Sequence, residues 1–514
     1  MAEAAAGERQ PRGRARPGAF QPTVEFRDSD PRAAKSSMDT LNVDVAVIGA
    51  GTAGQNARRE VEKRGGTPLM IERGPHGTTC ARVGCMPSKL LVAAADVAHM
   101  LEQAPQFGVH AGARRIDGHA VMARVRRERD RFVDFVEADI DRIPESQKAT
   151  GHARFTDRTT LVVSDELRVE ARAVVVATGS QPFVPPPFDA IRERVLTSDD
   201  IFELPALPAS LAVIGTGVIA LELGQAMQRL GVGVAFFNPF DELGPFTDPE
   251  VKRVVARELS SELDLRLGVQ VVDAAAVDGG IRLRWQEPGG AAREEVFEHL
   301  LVAAGRRPNL AGLGLESTGL SLNAKGRPRV DPVTTQCDDA PIFVAGDAEG
   351  HLPLLHEAAD EGRIAGANAM LWPAVERHER RLPLAIAFTD PQMALVGARH
   401  ADLVAGQHAV GAVSFDDQGR ARVAGRNRGL VRIYGDSRNC RLLGAEMFGP
   451  GMEHAAHLLA WAVQSRMTVQ TALSMPFYHP VLEEGLRTAL RELAANLRAL
   501  AQCRPEDLAS APGA

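Results

Sequence analysis

The residues most able to do chemistry are two cysteines that lie close together in the chain, Cys80 and Cys85. They are five positions apart, and Gly84 between them lets the backbone turn, so their thiols could close a small disulfide ring. Such a ring cannot easily adopt the relaxed geometry of a structural bridge, and we expect it to be strained and readily reduced. The spacing predicts a redox-active pair, with two buried free cysteines as the alternative.

The residues after the pair indicate which thiol is the more acidic. Residues 89–95 form an apolar run typical of a helix, which places Cys85 near a helix N-terminus and close to Lys89. Both the helix dipole and a neighbouring lysine favour the thiolate. Zinc is not expected here, because two thiols make half a tetrahedral site and no second pair follows at a suitable spacing.

The chain upstream of the cysteines predicts the fold that positions them. A strand, a glycine-rich turn, a helix and a second strand follow one another: residues 43–48, Gly49, Gly51 and Gly54, residues 55–64, and residues 67–71 with Glu72 at the end. In dinucleotide-binding units the first glycine allows the tight turn and the second lets the backbone approach a pyrophosphate. The third lets the helix pack on the strand, and the acid accepts from a ribose hydroxyl. The segment therefore predicts a dinucleotide site.

The same pattern recurs in the middle of the chain. Its parts are residues 211–214, Gly215, Gly217 and Ala220, residues 221–230, and residues 233–237. Alanine stands in the third glycine position. A chain with two such units should bind two dinucleotides. With a reducible thiol pair between them, we expect electrons to pass from one nucleotide through the other to the thiols.

With these motifs the chain resembles the FAD-dependent pyridine nucleotide–disulfide oxidoreductases. Further similar segments are residues 174–180, 301–309, 341–347 and 476–484, and the likeness extends over about residues 41–493. Strands followed by helices beyond residue 387 indicate an α+β module. The resemblance implies an α/β fold with two Rossmann-like domains, one for FAD and one for NAD, and makes the C-terminal module a dimerisation domain.

The expected organisation divides the chain into six segments. They are a disordered extension (1–38), the FAD-binding domain (39–187), the NAD-binding domain (188–311), a central segment completing the FAD domain (312–383), the dimerisation domain (384–500) and a loose tail (501–514). The extension shows no helical or strand period. A mitochondrial transit peptide is the alternative for it, and its acidic residues disfavour that alternative.

Composition bounds the class of protein. The chain has 514 residues, which suits three or four subdomains. A net charge of −7 argues against nucleic acid as a partner, and no uncharged apolar stretch is long enough to span a membrane. Among five cysteines only Cys80 and Cys85 are close in sequence, so a reducing compartment is expected. We predict a cytoplasmic location, with the mitochondrial matrix as the less favoured alternative.

The resemblance implies roles for the residues around the cysteines. Cys80 would exchange with the substrate, and Cys85 would lie against the flavin. Lys89 would sit near the redox edge of the flavin, paired with Glu222. Because the residues that flank Glu222 are apolar, a buried pair is favoured over a solvated glutamate.

His479 is the candidate general acid–base, because an imidazole titrates near neutral pH and can take and return a thiol proton. Glu484 could hold the tautomer of the ring, as a carboxylate does in a hydrolase triad. Before a proline, a histidine taken alone is more often a helix-start residue. The resemblance implies that His479 acts across a subunit interface, beside the disulfide of the partner in a homodimer.

The resemblance also assigns nucleotide contacts beyond the glycine turns. For FAD these are Ala153, Thr178, Gly179, Asp347 and Leu355, and for the nicotinamide nucleotide Asn238 and Gly305. Related NAD-specific proteins carry an acid at the position of Asn238, and NADP-specific ones carry arginines just after it. With Asp241 and Glu242 nearby and no such arginine, a preference for NAD over NADP is predicted. No metal site is expected.

Within the family, residues 87–89 resemble those of dihydrolipoamide dehydrogenases more than those of glutathione reductases. The first hypothesis is therefore oxidation of the dihydrolipoyl group of a lipoyl-bearing protein, or of a small dithiol, with NAD as acceptor. The alternative is another NAD(P)H-dependent disulfide or metal reductase, similar to glutathione, mycothione or mercuric reductase. A non-catalytic flavoprotein subunit is a third possibility, disfavoured by the retention of both cysteines and of His479.

Overall fold

The computed structural model describes residues 38–110 and 112–500, so nearly all of the predicted N-terminal extension and the predicted tail lie outside the described residues. The N-terminal unit is built on a mixed sheet. This sheet contains β1 (Asp39–Ile48), β2 (Pro68–Glu72), β3 (Lys148–Thr150), β4 (Ala153–Phe155), β5 (Thr160–Val163) and β6 (Leu167–Val176), whereas β7 (Ser180–Pro182) lies outside it. The helices of this unit are α1 (Thr52–Lys63), α2 (Thr79–Arg82), α3 (Cys85–Gln103) and α4 (Gly118–Asp141).

The centre of this sheet is the predicted dinucleotide unit. Strands β2, β1 and β6 run parallel, in that order, and β5 and β4 extend the sheet with antiparallel pairing. Residues 45–48 of β1 are buried throughout, because both faces of this part of the sheet are covered. The turn after β1 therefore lies at the carboxyl edge of the sheet, where such folds bind nucleotides.

The second unit repeats this architecture. Its strands are β8 (Val195–Leu196), β9 (Ser210–Ile214), β10 (Gly233–Asn238), β11 (Asp264–Leu267), β12 (Gln270–Val277), β13 (Gly280–Gln286), β14 (Ala292–Phe297), β15 (His299–Val302) and β16 (Arg306–Pro308); its helices are α5 (Val218–Arg229) and α6 (Pro249–Ser260). Five strands form a parallel sheet in the order β11-β10-β9-β15-β8. Strands β12, β13 and β14 form a separate antiparallel sheet that the sequence patterns do not predict.

The chain then returns to the first unit through β17 (Ile342–Val344), which pairs with β6, and α7 (Leu355–Leu371). Helix α7 packs closely on α1. A Cβ atom at Gly362 would lie 2.2 Å from the carbonyl oxygen of Ala53, and one at Gly366 would lie 2.5 Å from that of Ala57. The two glycines let the helix backbones approach each other directly.

The C-terminal unit is an antiparallel sheet backed by helices. Its strands are β18 (Leu384–Ala387), β19 (Gln392–Gly397), β20 (His408–Ser414), β21 (Leu430–Asp436) and β22 (Leu442–Gly449); its helices are α8 (Gly419–Val423), α9 (Met452–Gln464), α10 (Val469–Leu473) and α11 (Glu484–Ala499). The predicted fold class, with two Rossmann-like units and a C-terminal α+β unit, is confirmed. No helix in the described part of the chain is long and apolar enough to span a membrane.

Candidate active site

The two cysteines are brought together by the short helix α2 and the start of the longer helix α3, which are joined through Val83 and Gly84. Helix α2 is capped by Thr78, whose Oγ1 accepts a hydrogen bond from Ala81 N at 3.2 Å. Helix α3 begins at Cys85 itself, so this thiol stands in the first turn, as predicted. A Cβ atom at position 84 would lie 3.0 Å from the carbonyl oxygen of Thr79, so the close approach of the two segments favours glycine there.

The two thiols differ in acidity because they face each other. The thiol of Cys80 donates a hydrogen bond to Cys85, and this bond, followed by the positive charge of Lys89, lowers the pKa of Cys85 to about 7. The same contact, together with burial, raises the pKa of Cys80 far above its ordinary value. In the reduced pair Cys85 is therefore the thiolate and Cys80 keeps its proton.

Lys89 is held by a buried carboxylate from the second nucleotide-binding unit. Its Nζ lies 2.7 Å from Oε2 of Glu222, and the Glu222 side chain is only 6% exposed. The other oxygen, Oε1, accepts from the backbone N of Phe388 at 2.7 Å. Nζ also lies 4.5 Å from the centroid of the Phe388 ring. The sequence predicts the pairing partner of Lys89, but it carries no signal for Phe388.

The first glycine turn has the shape that a pyrophosphate requires. Gly49 has φ +109°, and a Cβ atom there would lie 2.4 Å from the carbonyl oxygen of Ala177. A Cβ atom at Gly54 would lie 1.9 Å from the carbonyl oxygen of Gly49, so helix and strand are in contact. Around Gly51, by contrast, no atom lies within 4 Å of an added Cβ. Glu72 closes the turn by accepting from the backbone N of Ala50 at 2.8 Å.

Two polar side chains, Thr178 after β6 and Asp347 after β17, fit a bound flavin nucleotide. The hydroxyl of Thr178 is buried and has no hydrogen-bond partner in the protein, so it is available to a bound ligand. It is followed by Gly179, with φ +67°. The carboxylate of Asp347 is half-buried and accepts from Ser180 Oγ at 2.7 Å. Together with the glycine turn, these groups are suited to hold FAD.

A cavity of about 310 Å³ lies beside Cys80. Its lining comes from three helices and the cysteine segment: Thr52, Gln55, Asn56, Arg59, Thr78, Ala81, Met86, Phe132, Phe135, Val136, Asp139 and Leu355. Leu355, predicted as a flavin contact, thus lies near Cys80. Ala153, also predicted as a flavin contact, is the buried first residue of β4. None of the described residues that line the cavity is a histidine.

His479 and Glu484 form a separate pair at the start of α11. The Nδ1 atom of His479 lies 3.0 Å from each carboxylate oxygen of Glu484, and the imidazole is 81% exposed. The hydrogen bond with His479 holds the pKa of Glu484 below its ordinary value. Because Nδ1 is engaged, Nε2 is the ring atom left for proton transfer. Within one chain this pair does not line the cavity beside Cys80.

The second glycine turn repeats the shape of the first. Gly215 has φ +105°, and a Cβ atom there would lie 2.7 Å from the carbonyl oxygen of Ala303. At Gly217 an added Cβ would meet nothing within 4 Å, and Ala220 is fully buried in the third position. Gly305, with φ +106°, is likewise open around its Cβ position. The turn is open where a second pyrophosphate would approach.

The side-chain amide of Asn238 is hydrogen-bonded to other residues of the protein, which its position in the sequence does not indicate. Its Nδ2 donates to Thr216 Oγ1 at 2.8 Å and to the carbonyl oxygen of Phe240 at 2.9 Å, and the residue is 9% exposed. Both donors of the amide are therefore used within the second glycine turn and the loop after β10. Only Oδ1 is left to accept a hydrogen bond from a ribose hydroxyl.

Most of the chain is similar in sequence to known proteins. Residues 43–362 match the family described as pyridine nucleotide-disulphide oxidoreductase, and residues 384–490 match the dimerisation domain of that family. Dihydrolipoyl dehydrogenase 3 of Pseudomonas aeruginosa is 31% identical over 470 residues, which cover 88% of this chain and 97% of that protein. Mercuric reductase of Acidithiobacillus ferrooxidans is 30% identical over 484 residues, or 91% of this chain and 86% of that protein.

The fold is also similar to that of a solved structure. The crystal structure of LpdA from Mycobacterium tuberculosis is similar with a TM-score of 0.75 and 27% sequence identity, covering 88% of this chain and all of that one. The similarity therefore extends through all three units of the fold.

Proposed function

Since the chain belongs to the pyridine nucleotide–disulphide oxidoreductase family, we propose that it oxidises dihydrolipoyl groups and passes their electrons to NAD. It is an NAD(P)H-dependent oxidoreductase that acts on a disulfide, with FAD and NAD(H) as the cofactors of its family. The observation that carries the proposal is the contact of Cys80 and Cys85, in which one thiol is acidic and the other is not. The similarity to dihydrolipoyl dehydrogenases supports the choice of substrate.

The residues suited to hold FAD are those of the first glycine turn with Glu72, Thr178 and Asp347. When bound, FAD supplies the two-electron chemistry that links the thiol pair to the nicotinamide nucleotide. The remaining chemistry belongs to side chains of this protein.

The reaction begins with the disulfide form of the pair. A thiolate of the dithiol substrate attacks Sγ of Cys80, which breaks the Cys80–Cys85 bond and joins the substrate to Cys80. Cys85 leaves as a thiolate, which is favourable because its pKa is about 7. The second sulfur of the substrate then attacks the first and releases Cys80, which takes up a proton. The substrate loses two electrons and two protons, and the cysteine pair gains two electrons and one proton.

The remaining proton needs a base, and we assign this role to His479 of the partner subunit. No described residue lining the cavity beside Cys80 in one chain is a histidine, and the C-terminal unit matches a dimerisation domain. Glu484 holds Nδ1 of the imidazole, so Nε2 receives the substrate proton.

A second candidate is an NADPH-driven reductase of a disulfide or metal ion. It is favoured by Asn238, which lacks the charge that would repel a 2′-phosphate, and by the similarity to mercuric reductase. The exposed acids Asp241 and Glu242 after β10 argue against it.

One assay separates the two candidates. The purified flavoprotein is given dihydrolipoamide with NAD, and in parallel oxidised glutathione or a divalent mercury salt with NADPH. We expect turnover in the first reaction to exceed that in the others by at least tenfold in kcat/KM. Faster NADPH-driven reduction would contradict the proposal and support the second candidate.

A further inference from the structure

Lys89 makes a contact that neither its pairing with Glu222 nor the thiol chemistry accounts for. Its ammonium lies over the ring of Phe388, 4.5 Å from the ring centroid. Phe388 is half-buried and comes directly after β18, so it belongs to the C-terminal unit. Its backbone N also donates to Glu222. One residue thus contacts both members of the ion pair, the cation with its ring and the carboxylate with its backbone.

The segment that carries Phe388 is fixed in place by one face of α5. Besides the contact with Glu222, the side-chain oxygen of Gln225 accepts from Asp390 N at 2.8 Å, and the Gln225 amide donates to Asp390 O at 2.9 Å. One turn further on, Arg229 donates to Oδ2 of Asp390 at 3.0 Å and to its carbonyl oxygen at 3.1 Å. The Arg229 side chain is 4% exposed. The backbone on both sides of the Phe388 side chain is therefore hydrogen-bonded to α5.

We propose that Phe388 is a positioning residue that holds the ammonium of Lys89 within electrostatic reach of Cys85. The proposal deepens the function proposed above and rests on the thiolate role of Cys85 given there. In this proposal Phe388 acts on Cys85 through Lys89, whose ammonium it contacts.

An aromatic ring suits this position better than a second carboxylate because it carries no net charge. Lysine has a long, flexible stem, and an ammonium that donates to Glu222 at 2.7 Å and, at the longer distance of 3.3 Å, to Ser88 Oγ can still move. A second carboxylate would hold it but would oppose the thiolate, since the charge of Glu222 already raises the pKa of Cys85. An aromatic face attracts a cation without bringing a net negative charge. Phe388 can therefore restrain Lys89 at no electrostatic cost to Cys85.

The test compares Phe388→Leu, which removes the ring and keeps the backbone amide, with Phe388→Tyr, which keeps an aromatic face. Both are made in the Cys80→Ser background, where Cys85 is the only thiol of the pair. The pH midpoint of the Cys85 thiolate is measured in the flavoprotein from the thiolate-to-flavin absorbance. It is measured independently from the alkylation rate of Cys85 with iodoacetamide. We expect Phe388→Leu to raise the midpoint by about half a pH unit and Phe388→Tyr to leave it unchanged.

Two further variants serve as controls. Lys89→Met removes the cation and should raise the midpoint more than Phe388→Leu does. Phe183→Leu removes another half-buried ring, which stacks on Arg307 at 3.4 Å, and should leave the midpoint unchanged. If Phe388→Leu does not fold with flavin, Phe388→Met takes its place with the same expectation.

The outcomes distinguish this proposal from the proposed function. A midpoint in Phe388→Leu equal to that of the parent, while Lys89→Met shifts it, would overturn the role of Phe388 and leave the thiol assignment standing. If the pH midpoints shift as expected but the protein does not oxidise dihydrolipoamide, the role of Phe388 stands and the proposed substrate is wrong.

Discussion

The imidazole of His479 is held by Glu484, with Nδ1 3.0 Å from both carboxylate oxygens, although the ring itself is almost fully exposed. Such a hydrogen bond fixes one ring nitrogen and leaves the other able to exchange a proton. Neither residue contributes to the cavity beside Cys80 in the same chain. Under the proposed function, the thiols that this pair serves would be those of the partner subunit.

Replacing His479 tests this role. We expect His479→Gln to slow oxidation of the dithiol by roughly 10²–10⁴-fold, because a proton-transfer step is lost. Reduction of the flavin by NADH should survive, since it does not use that proton. Rapid-mixing measurements of the two half-reactions check the prediction, with Glu484→Gln as the milder companion variant. Equal losses in both half-reactions would mean that His479 has a structural role.

The unequal acidity of the two thiols predicts a spectroscopic signature. Two-electron reduction should give a long-wavelength thiolate-to-flavin band whose intensity rises with a midpoint near pH 7, the pKa of Cys85. Below that pH the thiolate is protonated and the band should fade. Cys85→Ser should abolish the band, whereas Cys80→Ser should retain it. A wild-type protein that bleaches directly to reduced flavin would contradict the assignment.

Because Asn238 is uncharged, we predict a weaker preference for NAD over NADP than an acidic residue at this position would give. We expect the wild type to prefer NAD over NADP, and Asn238→Glu to increase that preference in kcat/KM, because a carboxylate repels a 2′-phosphate. The glutamate cannot replace the amide donors to Thr216 and Phe240, so a lower Tm is expected as well. A wild type that favours NADP(H) tenfold or more, about 1.4 kcal/mol, would support the reductase candidate instead.

A buried carboxylate joins the second nucleotide unit to the C-terminal sheet. Glu446 is fully buried and accepts from the backbone N of Thr247 at 2.8 Å, of Asp248 at 2.9 Å and of His400 at 2.9 Å. Glu446→Ala should lower the free energy of unfolding by about 2–5 kcal/mol, because these donors lose their acceptor. Denaturant unfolding measures the loss. Glu379→Ala, at a side chain that is 80% exposed, should change it little.

Local patterns predicted the fold well. The runs at residues 43–48 and 211–214 lie within β1 and β9, and the first glycine after each run, Gly49 or Gly215, has the positive φ that such a turn requires. The family and the fold class are confirmed. These features depend on neighbours in sequence, which is why a single sequence reveals them. The domain boundaries and the catalytic roles stay predictions.

What the sequence did not reveal depends on contacts between distant segments. A phenylalanine after a strand gives no sign that a lysine about three hundred positions earlier will lie over its ring. Likewise, the amide of Asn238 could face a ribose or the protein, and only the fold shows that its donors turn inward. For both Phe388 and Asn238, the neighbouring residues in the sequence would look the same whether or not the side chain made these contacts.

The absence of a histidine among the described residues lining the Cys80 cavity has a genetic consequence. If each site takes its thiols from one chain and its base from the other, two inactive variants can complement each other in a mixed dimer. Mixed subunits of Cys80→Ser and His479→Gln would assort at random, and half of the dimers would contain one complete site. The mixture should regain about a quarter of wild-type activity. A fully active monomer in light scattering, or no recovery after subunit exchange, would show that one chain suffices.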